Sequence, residues 1–226
     1  MDNRGPLRPD PTVIMRPAAP ADSRMEIRRL TGEEPHVERF VRELWLPYRR
    51  ELEARVPDTA LTDGVNVVDL EVAYRRELLE RDDHWTWVAV DGDGGGRGDD
   101  DSDDGGSDRH LDDAEPLQFP EDGEREWGGD GGLAGFVTAD LDAASPVFDR
   151  PDRLHVGDIY VQADYRGTGL GRRLLELVAL QARARACTEL VLDVDVDNEA
   201  AVGFYERLGF EVRRWEMRVD VDSLRL

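Results

Sequence analysis

The sequence predicts a mixed α/β fold, in which strands and helices alternate along a single chain. Residues 156–161 are rich in β-branched and aromatic side chains, and a glycine-rich loop and a helical pattern follow them. Residues 189–197 alternate apolar and acidic side chains, as a half-buried strand does, and precede a second helical segment. Upstream, residues 84–91 and 133–139 have the composition of two further strands, joined as a hairpin across a long insertion.

The glycine-rich loop at residues 166–171 predicts a binding site for an anion. A strand, a glycine-rich loop and a helix together direct free backbone N–H groups and the positive end of a helix dipole to one place. A Walker A loop would require a lysine, and the chain contains none. A dinucleotide-binding pattern that starts at Gly167 meets Arg172 where its last glycine should stand. What remains is the pattern R-x-x-G-x-G over the same six residues.

A second pattern, N-x-x-A-x-x-F-Y-x-x-x-G-F, starts at Asn198 and lies one strand downstream. Asn198 is a good helix N-cap, and Gly209 is a natural helix stop before another strand. The two patterns, in this order and at this spacing, resemble the GNAT superfamily of N-acetyltransferases. The resemblance is close over residues 154–213, whereas upstream only the order of the elements agrees.

This resemblance implies a largely antiparallel sheet flanked by helices, whose central strands part near Val161 and near Val194 to admit acetyl-CoA. In the family, the R-x-x-G-x-G loop holds the pyrophosphate of coenzyme A. The resemblance assigns nine residues to binding this cosubstrate: Val161, Arg166, Gly167, Thr168, Gly169, Leu170, Gly171, Arg172 and Asn198. Arg172 has a second interpretation, in which it forms an ordinary exposed pair with Arg173 on the helix.

The resemblance also implies the chemistry, which is direct attack of a primary amine on the thioester. The Val161 N–H is the expected oxyanion donor, and Asp158 is the nearest candidate base, acting directly or through water. Tyr205 stands where the family often has the acid that protonates the leaving thiolate. Asp158 is equally interpreted as a solvated strand-edge residue, and Tyr205 as a packing residue. The predicted function is N-acetyl transfer to a small-molecule or protein amine; the alternative is a non-catalytic acyl-CoA-binding sensor.

The sequence predicts no metal site. The aspartates of residues 193–197 resemble the start of a calcium loop, but Asn198 stands where that loop needs glycine and Phe204 where it needs glutamate. The four histidines show no metal-ligand spacing. The single cysteine, Cys187, allows no internal disulfide and is expected to be a small buried residue.

The formal charge of −22 limits the expected partners. Such an acidic surface repels nucleic acid and anionic membranes, so we expect neither as a partner. An acidic chain without lysine is typical of a halophilic protein from a high-salt cytoplasm, the alternative being a GC-rich genome that favours arginine codons. No apolar run approaches the eighteen or more residues of a membrane helix, so a soluble cytoplasmic protein is expected. Whether it forms a homodimer is left open.

The composition divides the chain into a leader and one domain. Residues 1–24 hold five prolines and little periodicity, which predicts a disordered leader, unless Met25 is the true start. Residues 25–226 are expected to form a single N-acetyltransferase domain. Residues 91–132 contain 16 acidic residues, three arginines and twelve glycines. Such a segment cannot bury an apolar core, so we expect a disordered acidic insertion at about 92–132.

The first third of the domain predicts a strand and a pair of helices. The strand covers residues 25–30, and Thr31 is expected to cap the first helix with Glu34 as its capping-box partner. Pro47 predicts an interruption of this helix near Leu46.

A further helix is expected at residues 67–81. Its apolar face is expected to comprise Leu70, Tyr74 and Leu78. In GNAT proteins the early helices help to form the acceptor side of the cleft. Trp45 and Tyr48 are therefore either acceptor contacts or core residues, and core packing is the favoured interpretation.

Overall fold

The computed structural model describes residues 25–56, 60–92, 131–147 and 149–225, and these form one five-stranded sheet with helices on both faces. The strands are β1 (Met25–Arg29), β2 (His84–Asp91), β3 (Leu133–Asp142), β4 (Arg153–Val161) and β5 (Glu189–Leu192). They lie in sequence order, and every neighbouring pair is antiparallel except β4 and β5, which are parallel. The predicted fold class and the β2–β3 hairpin are therefore confirmed.

The helices divide between the two faces of the sheet. They are α1 (Glu34–Phe40), α2 (Leu46–Glu53), α3 (Val67–Leu79), α4 (Leu170–Ala184) and α5 (Glu199–Arg207). One face packs against α4, whose Leu174 and Val178 are fully buried with Val156 of β4. The other face packs against α1 and the helical turn that follows it, and there Phe40 meets Phe136 edge-on with ring centroids 5.0 Å apart.

β4 and β5 part, as expected, because they pair over a short stretch only, although in the described sheet β5 is the edge strand and not a central one. β5 pairs with β4 only from Arg153 to Val156, while β4 continues to Val161 along an edge that β5 does not cover. The prediction that the downstream strand reaches residue 197 is wrong. β5 ends at Leu192, where its pairing with β4 ends, so that Val194 and Val196 are exposed instead of sheet residues.

The first helix is interrupted where Pro47 predicts it. Residues 41–45 form a π-helical turn between α1 and α2. Since proline has no N–H, the carbonyl of Glu43 cannot receive the usual helical hydrogen bond four residues on. The side-chain Nε2 of Gln162 donates to this carbonyl at 3.0 Å instead, and so ties the helix pair to the end of β4.

Two details of the helix predictions are wrong. Thr31 does not cap α1, because Glu33 occupies the N-cap and the Thr31 hydroxyl hydrogen-bonds the ring of His36. The face of α3 predicted to be apolar is turned to solvent, with Leu70 60% and Tyr74 53% exposed. The buried face of α3 instead carries Arg75, which pairs with carboxylates beneath the helix.

The segment after α5 also differs from expectation. Gly209 ends the helix in the left-handed conformation, with φ +89°, as predicted. The strand expected to follow it is absent from the described residues up to 225. This segment carries a row of exposed apolar side chains at alternate positions: Trp215, Met217, Val219 and Val221.

The leader at residues 1–24 and nearly all of the acidic insertion lie outside the described residues. Within the described part of the chain, no helix is long and apolar enough to cross a membrane, and no cluster of three or more metal-ligating side chains occurs.

Candidate active site

A cleft of about 570 Å³ opens where β4 and β5 part. Its walls come from α2, the uncovered half of β4, the start of α4, and the segment that leads from β5 into α5. All of the residues assigned to the cosubstrate except Thr168 and Arg172 line this cleft, and Tyr205 lines it too. The two sequence patterns, which are separated along the chain by α4 and β5, therefore meet at one place.

The start of α4 presents free backbone N–H groups to the cleft. Gly169 is its N-cap with φ +89°, and Gly167 has φ +77°, so both adopt a left-handed backbone that favours glycine. The first intrahelical bond there runs from the Arg173 N–H to the Gly169 carbonyl, which leaves the N–H groups before it without helical acceptors. The Thr168 hydroxyl donates to the Tyr165 carbonyl at 2.7 Å and holds the loop in this shape.

The uncovered edge of β4 presents the Val161 N–H to the same cleft. The Gln162 N–H donates to Ala134 of β3, and amides alternate sides along a strand. The N–H and carbonyl of Val161 therefore point away from β3, toward the space that β5 leaves open. The Val161 carbonyl accepts a hydrogen bond from Nε of Arg166 at 2.9 Å, in agreement with this direction.

Arg166 is bound to the α2 side of the cleft. Its Nη2 donates to Glu51 of α2 at 2.7 Å, and its guanidinium lies 5.6 Å from the centroid of the Tyr160 ring. The Tyr160 hydroxyl donates to the other oxygen of Glu51, also at 2.7 Å. Arg172 points along α4 instead, where it pairs with Glu176 on the exposed surface. The exposed-helix interpretation thus describes Arg172 in this structure.

Asp158 is enclosed by donors. Its Oδ1 accepts from the Tyr48 hydroxyl at 3.1 Å, and its Oδ2 accepts from Arg75 of α3 at 3.0 Å. Arg75 is itself only 7% exposed and pairs with Glu71 at 2.5 Å. Burial alone would lower the pKa of Arg75, but the charges of Asp158 and Glu71 outweigh it and raise that pKa. Asp158 is therefore held as one carboxylate of a partly buried ion-pair cluster around the buried Arg75.

Tyr205 of α5 is half-buried beside this cluster. Its ring packs against Phe204 and Phe210, with centroid separations of 5.3 and 5.5 Å. Burial, and then the negative charge of Asp158, raise the pKa of Tyr205 to about 12. Among the described residues, its hydroxyl has no hydrogen-bond partner. The group is thus a protonated phenol in the cleft, free to donate a hydrogen bond.

The remaining residues singled out by sequence have clear places. Asn198 caps α5, its side-chain oxygen accepting from the Ala201 N–H, and lines the cleft. Tyr48 also lines the cleft, whereas Trp45 is a core residue only 7% exposed. Cys187 is buried, which raises the pKa of its thiol.

Sequence reasoning missed three residues of the site: Glu51, Arg75 and Tyr160. No local motif marks them, because their partners lie far along the chain. Arg75 is 83 residues from Asp158, and Glu51 is 115 residues from Arg166.

Residues 97–210 match the family model described as Acetyltransferase (GNAT) family. The chain belongs to the GNAT acetyltransferase family. Characterised members of this family resemble the chain over shorter segments. Glucosamine 6-phosphate N-acetyltransferase of Trypanosoma brucei brucei is 36% identical over 78 residues, which is 34% of this chain and 51% of that protein. N-alpha-acetyltransferase 30 of Schizosaccharomyces pombe is 40% identical over 58 residues, or 26% and 39% of the two chains. The match to this GNAT chain thus covers about half, or less, of the length of these relatives.

Solved structures share the GNAT fold at low identity. The aminoglycoside N-acetyltransferase AAC(6')-Iy in complex with CoA matches with a TM-score of 0.53 and 17% identity, over 87% of this chain and 93% of that chain. The BH1408 protein from Bacillus halodurans matches with a TM-score of 0.58 and 16% identity, over 87% and 99%. At this identity the likeness shows the fold.

Proposed function

We propose that this GNAT protein is an N-acetyltransferase that transfers the acetyl group of acetyl-CoA to a primary amine. The observation that carries the proposal is the convergence of three features in one cleft. These are the free N–H groups at the start of α4, the uncovered edge of β4, and the Tyr205 hydroxyl. The relatives named above act on an amino sugar phosphate, on protein α-amino groups and on aminoglycosides, all of which are amines.

The cleft has the donors that acetyl-CoA requires. The left-handed turns at Gly167 and Gly169 direct the loop amides toward one point, and the helix dipole of α4 favours negative charge there. A pyrophosphate fits these donors. The edge of β4 from Gly157 to Val161 offers backbone groups to the amides of a pantetheine arm. When bound, acetyl-CoA supplies the activated acetyl group.

Three residues of the chain would serve the transfer. The Val161 N–H would stabilise negative charge that develops on the thioester oxygen. Tyr205 would donate to the departing sulfur, since its raised pKa keeps the phenol protonated. We propose Asp158 as the base, acting through water. Because Tyr48 and Arg75 already occupy its two oxygens, Asp158 also holds the Tyr48 hydroxyl at the acceptor side.

The setting of the enzyme is part of the proposal. We infer a salt-adapted, cytoplasmic protein whose partners are its acceptor and acetyl-CoA, with no nucleic acid, membrane or metal. The support is the charge of −22 without any lysine. We also propose that residues 25–226 form one domain, with the acidic segment as an insertion.

The test is an acceptor screen in molar KCl, with acetyl-CoA and detection of the released thiol. The panel includes amino sugars, aminoglycosides, polyamines, lysine and peptides with free α-amino groups. We expect amine-dependent thiol release that disappears when the amine is acetylated beforehand. Tight acetyl-CoA binding without turnover on any amine would favour the non-catalytic sensor instead. Absence of acetyl-CoA binding would overturn both.

A further inference from the structure

Glu51 and Tyr160 together form a binding place for a cation. The Glu51 carboxylate accepts a hydrogen bond from the Tyr160 hydroxyl at 2.7 Å, so it lies at the hydroxyl end of the ring whose face is the other half of this place. Carboxylates and aromatic faces are the two groups that attract ammonium and guanidinium ions most strongly in proteins. In this structure the guanidinium of Arg166 fills the place, since it contacts Glu51 at 2.7 Å and lies 5.6 Å from the ring centroid.

Arg166 has a second attraction within the same cleft. It is the first residue of the loop whose free amides face the cleft, and it bears a positive charge beside them. It also covers the Val161 carbonyl, which belongs to the uncovered edge of β4. A pyrophosphate at the start of α4 would compete with Glu51 for the Arg166 guanidinium, whereas a chain lying along β4 would replace only the Arg166 contact with Val161.

Release of Arg166 would leave Glu51 without its close ion-pair partner. The only other cation that pairs with Glu51 in the described chain is Arg55, which lies just after the end of α2, is 51% exposed and approaches the carboxylate to 3.9 Å. Each charge would then have a new partner. The pyrophosphate would pair with the Arg166 guanidinium, and a cationic group of the acceptor would pair with the Glu51 carboxylate.

We propose that Glu51 and Tyr160 form a subsite for a cationic group of the acceptor, which Arg166 fills until a pyrophosphate draws it away. This rests on the proposed function, which supplies the pyrophosphate. The substrate class that follows is an amine that carries a second, positively charged group besides the amine to be acetylated, and the binding order is cosubstrate first, acceptor second. Glu51 is a specificity-determining residue in this scheme.

The first test measures CoA affinity by calorimetry. Glu51→Gln removes the competitor for Arg166, so CoA should bind about two- to fivefold more tightly, the usual worth of an exposed ion pair. Pantetheine, which lacks the pyrophosphate, should bind unchanged. Glu53→Gln makes the same charge change two residues along α2 and should leave CoA affinity at the wild-type value. A Glu51→Gln protein that binds CoA no more tightly than the Glu53→Gln protein would overturn the exchange.

The second test uses methylguanidinium, which mimics the head group of Arg166. Arg166→Ala should bind it saturably in an NMR titration, and the double variant Arg166→Ala/Glu51→Gln should not. Wild-type protein should bind it only when CoA is present. Equal binding by the single and double variants would overturn the subsite. These titrations of Arg166→Ala need no CoA, so they test the subsite even if the wild-type protein fails to bind CoA and the proposed function falls.

Discussion

At the scale of single residues, the cleft depends most on one backbone conformation. Gly169 has φ +89°, and a side chain there would meet no neighbouring atom within 4 Å. Its requirement for glycine therefore comes from the backbone and not from crowding inside the protein. A branched side chain held in this left-handed conformation would cost about 1–2 kcal/mol. We therefore expect the loop to adopt a different conformation when Gly169 is replaced by such a residue.

We expect Gly169→Val to abolish CoA binding while the protein stays folded. Gly64→Val is the matched control, because Gly64 also has φ +78° with open space around it, and it lies outside the cleft. Calorimetry with CoA and thermal melts of both variants measure the difference. Similar melting temperatures with CoA binding lost only in Gly169→Val are expected, and undiminished affinity would refute the assignment of the loop.

Tyr205→Phe separates catalysis from packing, because it keeps the ring and removes only the hydroxyl. If Tyr205 protonates the thiolate, kcat should fall by about 10²–10⁴, and KM for acetyl-CoA should change much less. Tyr74→Phe, on the exposed face of α3, should leave kcat unchanged. A Tyr205→Phe enzyme within a few-fold of wild type would mean that the residue only packs.

The raised pKa of Tyr205 also gives a pH prediction. With a pKa of about 12, the phenol stays protonated at every pH from 7 to 10. Its donor form is lost only as the pH rises through that pKa. Ionisation of Tyr205 should therefore cause no fall in the kcat of the wild-type enzyme between pH 7 and pH 10. Any fall that is seen in this range should also be present in Tyr205→Phe. A decline near pH 9 that disappears in the variant would contradict the raised pKa.

The positions of residues in the cleft could be predicted from the sequence only where a motif carried them. Gly169, Asn198 and Tyr205 belong to short patterns and line the cleft as expected. Glu51 and Arg75 act through partners more than eighty residues away, and such pairings follow from the tertiary fold alone.

At the scale of elements, α3 is attached to β4 through a buried charge. Arg75 reaches Asp158, pairs with Glu71 and lies 5.9 Å from the centroid of the Phe40 ring. Removal of the guanidinium would leave two carboxylates unpaired, one 13% and the other 28% exposed. Breaking a buried pair in this way is strongly destabilising.

We therefore expect Arg75→Leu to lower the free energy of unfolding by about 2–4 kcal/mol in urea titrations. Arg76→Leu is the control on the next residue, since its partner Glu34 is exposed and such pairs contribute less than about 1 kcal/mol. Equal effects of the two substitutions would mean that Arg75 does not anchor α3.

The elements that sequence predicted best were those whose burial follows periodicity. In α4, the expected apolar stripe is the buried face. The prediction failed for α3, because a charged residue occupies the buried position, and for β5, because its pairing with β4 stops at Leu192 although β4 continues. Pro47 predicted the break before α2, but the π-helical turn and its link to Gln162 depend on tertiary contacts.

At the scale of the whole molecule, charge dominates. With 51 acidic and 29 basic residues, self-repulsion opposes the compact state at low ionic strength. We expect the melting temperature to rise with KCl well beyond about 0.15 M, where the screening length is already about 8 Å. Melts from low to molar KCl measure this. A flat profile would remove the halophilic interpretation and leave codon usage to explain the missing lysine.

Deletion of residues 93–130 tests the domain organisation. Asp91 donates its N–H to the Gly132 carbonyl at 2.9 Å, so Gly92 and Gly131 could join as a two-residue hairpin turn. Because the ends already meet, we expect folding and activity to be retained. The deletion also removes 15 acidic residues and three arginines, so the salt dependence should weaken. Loss of activity in molar KCl would contradict the insertion hypothesis.

The exposed row from Trp215 to Val221 has a practical consequence for handling the protein. Exposed apolar side chains that lie close together in the sequence favour association between molecules. At neutral pH the net charge of −22 keeps copies apart. That repulsion vanishes near the isoelectric point of about 4.5, so acidified solutions should turn turbid while the fold is still intact. The protein therefore stays dispersed in solution because of its net negative charge.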